Sequence, residues 1–194
     1  MASNPNPYLT PEQYLEIERQ AEFRSEYHDG ETFAMSGATE THKLIVWNCV
    51  ARLDSQLRDN CRAFATDMRV CVDSARLYTY PDLTVVCGEP AFAVGRRDTL
   101  LNPQVIVEVF SPSTEAYDRG QKFRYYRALP SLKHYLLISS QAMYAELFTR
   151  ASEEDWLMTT ASRPEDLVKL DAISAELRLG DLYRRVDFGA VQAE

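Results

Sequence analysis

Two carboxylates interrupt apolar, strand-like runs of this sequence, and they constrain the fold more than any other feature. Asp82 lies near the start of the run 80–86, and Glu108 lies inside the run 104–110, which reads QVIVEVF. The second run is typical of a strand that is buried on both faces. A carboxylate in such a strand is costly unless it is paired, hydrogen-bonded or bound to a metal ion. The sequence therefore predicts a buried polar site carried by two neighbouring strands.

Each acid also has an ordinary structural interpretation. Asp82 follows Pro81 and fits a turn residue at the start of a strand. Glu108 needs a partner, which is either a hard divalent cation or one of three arginines, Arg62, Arg69 and Arg119. Adjacent strands lie about 4.8 Å apart, so two acids at matching positions can share one cation. The residues alone leave both the ion pair and the metal site open.

A lysine follows the second acid on a predicted helix over 114–129. Lys122 lies near the middle of this helix, next to Arg119 and Arg124, and by itself it fits a surface residue. Beside two metal-binding acids a lysine has a more specific role, because its ammonium group can orient an attacking water or stabilise charge on phosphorus. Two acids followed by a lysine are typical of metal-dependent phosphodiesterases.

The remaining patterns predict a mixed α/β fold. Thr10 and Pro11 mark the start of a helix that ends near residue 20. Asp29-Gly30 is the predicted turn of a hairpin. Apolar residues at four- and three-residue steps predict a long helix over 39–60. Strands are predicted over 61–65, 68–72, 83–87, 105–110, 134–138, 142–149 and 156–160.

These elements suggest a central sheet flanked by helices. Pro-rich residues 1–7 are expected to be a disordered lead, and residues 8–194 to form a single domain. No apolar run approaches the roughly 18 residues that span a membrane. We therefore expect no membrane association.

Composition narrows the function further. Four cysteines without a C-x-x-C pair, and three histidines without ligand spacing to a cysteine, argue against a zinc site. We expect a cytoplasmic protein with reduced, mostly buried thiols. The net charge of −8 disfavours non-specific binding of a polyanion by the whole surface, but it leaves room for a local basic strip.

Several separated motifs occur in the order that a known family shows. They are Pro81-Asp82, the segment VEVFSPST over 107–114, Asp118 with Lys122, the segment LKHYLLI over 132–138, and the N-terminal segment TPEQYL over 10–15. In these motifs the sequence resembles the Uma2 family of restriction-endonuclease-like proteins in the PD-(D/E)XK nuclease superfamily. The resemblance implies a restriction-endonuclease-like core: a mixed central β-sheet flanked by helices, with an N-terminal helix and hairpin and a C-terminal β-rich meander.

The resemblance also implies roles for individual residues. Asp82 matches the metal-binding aspartate of the superfamily and Glu108 its second acid. Glu31 is similar to an extra acid near the site, and His42 to a histidine at the start of the long helix. An exposed hairpin glutamate and a core histidine are the ordinary alternatives for these two. The sequence departs from the superfamily at position 110, where a phenylalanine replaces the lysine, and Lys122 is the matching candidate.

We therefore expect a Mg²⁺- or Mn²⁺-dependent DNA endonuclease. Asp82, Glu108 and Glu31 are the expected metal ligands, and Lys122 is expected to position the nucleophile. Four arginines are expected to contact phosphates, namely Arg96, Arg97, Arg119 and Arg124. Cutting both strands would need a dimer or two binding events, and we expect a homodimer. The alternatives are a catalytically inactive nuclease fold that acts as a binding module, and a metal-dependent phosphodiesterase acting on RNA or nucleotides.

Overall fold

A six-stranded and a five-stranded sheet carry the fold in the computed structural model, which describes residues 8–35, 37–93 and 97–188. The strands are β1 Ser25–His28, β2 Glu31–Ala34, β3 Cys61–Ala65, β4 Arg69–Val72, β5 Leu77–Thr79, β6 Leu83–Cys87, β7 Thr99–Leu100, β8 Val105–Phe110, β9 His134–Ser139, β10 Ala145–Arg150, β11 Trp156–Ala161, β12 Leu167–Leu170 and β13 Ala175–Arg178. The helices are α1 Pro11–Gln20, α2 Glu40–Asp54, α3 Glu115–Tyr117, α4 Phe123–Tyr126 and α5 Leu179–Leu182. A π-helical segment, Asp118–Lys122, joins α3 to α4, and 3₁₀ turns occupy Asp73–Ala75 and Asp171–Ile173.

The larger sheet has the order β11-β10-β9-β8-β6-β3 and is mixed, because β8 and β9 run parallel while the other neighbours are antiparallel. The smaller sheet has the order β2-β1-β5-β4-β7, and β12 and β13 form a separate hairpin. These mixed sheets with flanking helices confirm the predicted fold class. Within the described part of the chain, no helix combines the length and the apolar character needed to cross a bilayer.

Alternation along β8 decides where its glutamate points. Val105, Val107 and Val109 pack in the core that contains α2, whereas Ile106 and Phe110 pack in a second core that contains Tyr126 of α4. Because successive side chains of a strand point to opposite faces, Glu108 shares the face of Ile106 and Phe110. The glutamate therefore faces the helical segment that carries Lys122.

Local signals placed the N-terminal elements correctly. The Thr10 side chain accepts a hydrogen bond from the backbone N–H of Gln13, whose side chain accepts one from the Thr10 N–H, so α1 begins with a full capping box. Asp29 and Gly30 both have positive φ values, 43° and 97°, as a tight two-residue hairpin turn requires. The predicted helix start and hairpin are confirmed.

Other boundaries differ from the predictions. Helix α2 ends at Asp54 instead of residue 60, in a stretch rich in aspartate and serine, which are poor helix formers. The helix after β8 is interrupted by the π-helical segment, and the Thr114 side chain forms no capping hydrogen bond at its start. Strands β5 and β7 were not predicted, because they have only three and two residues. Strand β7 also depends on its parallel pairing with β4.

The prediction of reduced thiols is wrong for one pair of cysteines. Cys61 and Cys87 are direct partners in the register of β3 and β6, and they form a disulfide. Cys49 and Cys71 are free and buried. Spacing along the sequence could not reveal the disulfide, because the two cysteines are 26 residues apart and meet only through the pairing of β3 with β6.

Candidate active site

Asp82 lies at the start of β6, where three elements converge. Its Oδ1 atom is 2.8 Å from Nε2 of His42, in the first turn of α2. Its Oδ2 atom accepts a hydrogen bond of 2.7 Å from the backbone N–H of Val109 on β8. Leu83 pairs with Val107 in the antiparallel register, so the next position along brings Asp82 beside Glu108. The two predicted acids therefore lie next to each other on adjacent strands.

Glu108 is almost fully buried, with 4% of its surface exposed. Its Oε1 atom is 2.9 Å from the ammonium nitrogen of Lys122, and it accepts a hydrogen bond of 2.9 Å from the Tyr126 hydroxyl. Burial raises the pKa of Glu108 well above its ordinary value, although the Lys122 ammonium opposes the shift. Its cationic partner is thus a lysine, and none of the three arginines considered above takes that place.

Lys122 is buried inside a ring of carboxylates. Besides Glu108, its Nζ atom lies 3.2 Å from Oε1 of Glu26 and 3.8 Å from Oδ1 of Asp118. Burial alone would lower the pKa of Lys122, but the carboxylates outweigh it and raise the pKa well above its ordinary value. The lysine therefore stays protonated. It occupies a buried position, so the interpretation as a surface residue is wrong.

The π-helical segment sets the position of this lysine. Asp118 and Lys122 are its two ends, and both side chains are buried. The Tyr135 hydroxyl donates a hydrogen bond of 3.0 Å to the carbonyl of Asp118. A hydrogen bond from a buried side chain thus stabilises a carbonyl at the start of the irregular turn. Such π-helical turns occur often at functional sites of helices.

Three residues of this cluster were missed as site residues. Glu26 lies on β1 and is hydrogen-bonded by the Thr79 hydroxyl and by the backbone N–H of Tyr80. Its signal was weak, since a polar residue beside Tyr27 in a hairpin strand is ordinary. Asp118 had a clearer signal, because residues four apart on a helix share a face. Tyr126 gave no specific signal, because a tyrosine on the predicted helix over 114–129 ordinarily packs against the sheet.

The cluster carries an excess of negative charge. Glu26, Glu108 and Asp118 surround a single ammonium group, and the Asp82 carboxylate lies close enough to raise the pKa of Glu108 further. Burial also raises the pKa of Asp118. Like charges that are held together out of water favour either a bound proton or a bound cation.

The donor set of Asp82 and Glu108 fits a hard divalent cation. Mg²⁺ prefers oxygen ligands and commonly takes only one or two carboxylates, with water and substrate oxygens completing its shell. Among the residues that the structure describes, no group of three or more His, Cys, Asp or Glu side chains is arranged to hold a metal. A site here would therefore rely on two protein carboxylates.

The other predicted residues lie outside the cluster. Glu31 is exposed on β2, and within the described ranges it forms no hydrogen bond or ion pair with Asp82 or Glu108. Arg97 is exposed and lies over the Phe92 ring, and Arg124 is exposed. Arg119 is already engaged, because it forms ion pairs with Glu115 and Glu146. Arg96 lies outside the described residues.

Fold and site together define an α/β protein with a carboxylate–lysine centre at the junction of two central strands. The chain matches the family model Uma2, described as "Putative restriction endonuclease", over residues 11–181, and it belongs to this family. The match confirms the resemblance noted in the sequence. The family description supports a nuclease, a hydrolase of nucleic acid.

Two curated relatives and one solved structure agree with this assignment. The chain is 34% identical over 189 residues to "Uncharacterized protein slr1290" of Synechocystis sp. (strain ATCC 27184 / PCC 6803 / Kazusa), covering 96% of this chain and 97% of the relative. It is also 34% identical over 152 residues to "Uncharacterized protein sll1609" of the same organism, covering 78% and 86%. A crystal structure described as a putative nuclease belonging to DUF820, from Anabaena variabilis ATCC 29413, aligns with a TM-score of 0.72 at 19% identity, covering 91% and 98%. At that identity the likeness shows the fold alone.

Proposed function

We propose that this protein is a Mg²⁺- or Mn²⁺-dependent endonuclease that hydrolyses phosphodiester bonds in DNA. The observation that carries the proposal is the half-buried Asp82 carboxylate beside the buried Glu108–Lys122 pair. Bound by the two carboxylates, a divalent cation would supply Lewis-acid activation of water and of the scissile phosphate. The cluster holds three carboxylates around one ammonium group, and this excess favours a bound cation over an inactive binding module.

The protein's own groups have distinct tasks in this proposal. His42 and the Val109 N–H hold the Asp82 carboxylate in one orientation through hydrogen bonds to its two oxygens. The Lys122 ammonium, kept charged by its carboxylate neighbours, stabilises the negative charge that develops on the phosphate. Tyr126 orients Glu108 through its hydroxyl group. These contacts organise the site before substrate arrives.

A duplex has two strands, and each site cuts one. The predicted homodimer therefore belongs to the proposal, because it would present two sites to the same duplex. RNA remains the alternative substrate. The same assay tests it, since cleavage of RNA in preference to DNA would reassign the substrate but keep the site.

Substitution of Asp82 tests the proposal. We expect Asp82→Asn to lower Mn²⁺-dependent cleavage of DNA by roughly 10²–10³-fold, the loss typical of removing one electrostatic group from an active site. Asp54→Asn, the same change at the exposed end of α2, is the matched control and should cleave like wild type.

Calorimetric titration with Mn²⁺ gives a second readout. Wild type should bind the ion, and Asp82→Asn should bind it weakly or not at all while melting like wild type. Equal cleavage by wild type and Asp82→Asn would contradict the proposal. So would a wild-type protein that neither binds Mn²⁺ nor cleaves DNA or RNA.

A further inference from the structure

A cleft of about 520 Å³ opens beside the candidate acid Asp82. One wall is a face of α2 that carries the exposed Trp47 and the partly buried Val50 one turn apart, and Met35 also lines the cleft. Asp82 lines the same cleft, and its side chain is 19% exposed. The cleft thus joins an apolar surface to the proposed reaction centre.

Trp47 is the unusual residue of this wall. It is 69% exposed on a helix whose opposite side is packed into the core, so the indole contributes little to folding. An exposed aromatic ring beside a phosphodiesterase site is a stacking surface for a base, because every base has a flat π-face. The indole is therefore available for a ligand that approaches Asp82.

Two cations line the same cleft. Lys43, next to His42 on α2, is exposed and forms no ion pair within the described residues. Arg24 donates a hydrogen bond of 3.3 Å to the Glu18 carbonyl and has a weak contact with Asp67, at 3.8 Å between Nε and Oδ1, but its side chain is exposed. Lys43 is thus available to phosphates, and the exposed guanidinium of Arg24 can accept a second contact. Arg119, which was expected to serve that role, is instead engaged by two glutamates.

We propose that this cleft binds an unpaired nucleotide of a nucleic-acid strand, with its base stacked on Trp47 and the adjoining phosphates at Lys43 and Arg24. The inference rests on the proposed function, since it places the scissile strand at Asp82. A base inside a duplex is already stacked on its neighbours, so its face reaches Trp47 only when it is unpaired or flipped out.

The charge of the protein also favours a single strand. The chain has a net charge of −8, and a duplex carries a charge for every 1.7 Å of its length. With few free cations near the site, electrostatic attraction of a duplex is weak. Stacking on an aromatic ring does not depend on the net charge, so it can supply the affinity that phosphate contacts lack.

Binding measured without cleavage tests this inference. The probes are a fluorescein-labelled oligothymidine strand and the same strand annealed to oligodeoxyadenosine. Binding is measured by fluorescence anisotropy in the presence of EDTA. We expect wild type to prefer the single strand. Trp47→Ala should weaken that binding by roughly 5- to 150-fold, equivalent to the ~1–3 kcal/mol of one stacked base.

Two further variants keep the test specific. Trp47→Tyr should retain most of the affinity, because a tyrosine ring also stacks. Leu157→Ala removes an exposed apolar side chain on the edge strand β11 and should bind like wild type. Retained thermal melting in Trp47→Ala excludes loss of folding as the cause.

Several outcomes would overturn the inference. Equal affinity of Trp47→Ala and wild type for the single strand is one, and tighter binding of the duplex is another. A lower oligomeric state of Trp47→Ala in sedimentation, with unchanged oligonucleotide binding, would make this surface an interface between copies of the chain. The binding assay needs no metal, so its results are independent of the cleavage assay. Cleavage without Trp47-dependent binding would reject only the proposed binding of a nucleotide in the cleft. Trp47-dependent binding without cleavage would reject only the proposed nuclease activity.

Discussion

At the scale of single residues, the buried ammonium group of Lys122 holds together carboxylates that would otherwise repel one another. Glu26, Glu108 and Asp118 all lie within 4 Å of its Nζ atom. Removing one partner of a buried ion pair costs more than the pair contributes, because a charge remains without compensation. The lysine is therefore needed for stability as well as for the proposed chemistry.

We predict that Lys122→Met lowers the free energy of unfolding by about 3–5 kcal/mol, as expected when a buried charge loses its partner. Urea unfolding in EDTA measures this effect. Lys133→Met is the matched control, because Lys133 is exposed and its loss should change stability by less than about 0.5 kcal/mol. Adding Glu108→Gln to Lys122→Met should recover part of the loss. Equal stabilities of the two lysine variants would mean that the cluster is hydrated and weakly coupled.

The same residues show what could be predicted from the sequence. Asp82 and Glu108 stood out because each interrupts an apolar run, and burial makes such an acid conspicuous. Glu26 gave no such signal, because it lies in a short half-buried strand with a polar neighbour. Its contact with Lys122 depends on the packing of the smaller sheet against the π-helical segment, which no local pattern encodes.

At the scale of elements, strand β9 connects the central sheet to the β12–β13 hairpin through His134. The backbone N–H of Ala172 donates a hydrogen bond of 3.1 Å to Nε2 of His134, so this nitrogen carries no proton. Nδ1 lies 3.2 Å from the Thr149 hydroxyl oxygen. Burial lowers the pKa of His134, with Asp171 opposing the shift. The neutral ring is therefore a structural link.

The lowered pKa predicts how stability depends on pH. An unfolded histidine has a pKa of about 6.5. The pKa of His134 is lower in the folded protein. Its contribution to stability is therefore complete above the unfolded pKa and is lost as the pH falls from there through the folded pKa. We expect unfolding free energy to decrease between about pH 7.5 and pH 5, and to decrease less in His134→Gln.

His28→Gln is the control for this measurement. His28 is only partly buried, and its ring lies tilted against the Tyr125 ring, with 4.7 Å between the ring centroids. We expect the unfolding free energy of His28→Gln to fall with pH as steeply as that of wild type. An identical pH profile for wild type and His134→Gln would show that other groups control stability in this range.

Boundaries of elements were predictable where local chemistry decides them. Capping at Thr10 and the positive φ angles of the hairpin turn are properties of a few adjacent residues. The π-helical segment and the Cys61–Cys87 disulfide depend on contacts between distant segments. Sequence patterns therefore predicted α1, the hairpin and most strands, but not the two features that depend on tertiary pairing.

At the scale of the whole molecule, the net charge of −8 sets how the protein meets a polyanion. Of the arginines predicted to bind phosphates, three lie in the described ranges, and Arg97, Arg119 and Arg124 do not form one free basic surface, since Arg119 is ion-paired. Lys43 and Arg24 are the cations that line the cleft beside Asp82. Nucleic-acid binding should therefore involve few phosphates.

This charge distribution predicts a shallow dependence of binding on salt. Each phosphate neutralised on a single strand contributes about −0.7 to the slope of log affinity against log salt concentration, so contacts at Lys43 and Arg24 give a slope of about −1.4. Lys43→Met should reduce the slope by about 0.7, whereas Trp47→Ala should lower affinity at every salt concentration and leave the slope unchanged. Anisotropy titrations of the oligothymidine strand in EDTA over a range of KCl concentrations measure both effects.

A slope steeper than about −5 would place most contacts on a broad basic surface away from the cleft. A change of slope in Trp47→Ala would mean that its indole acts by positioning the cations, because a stacking contact releases no counterions.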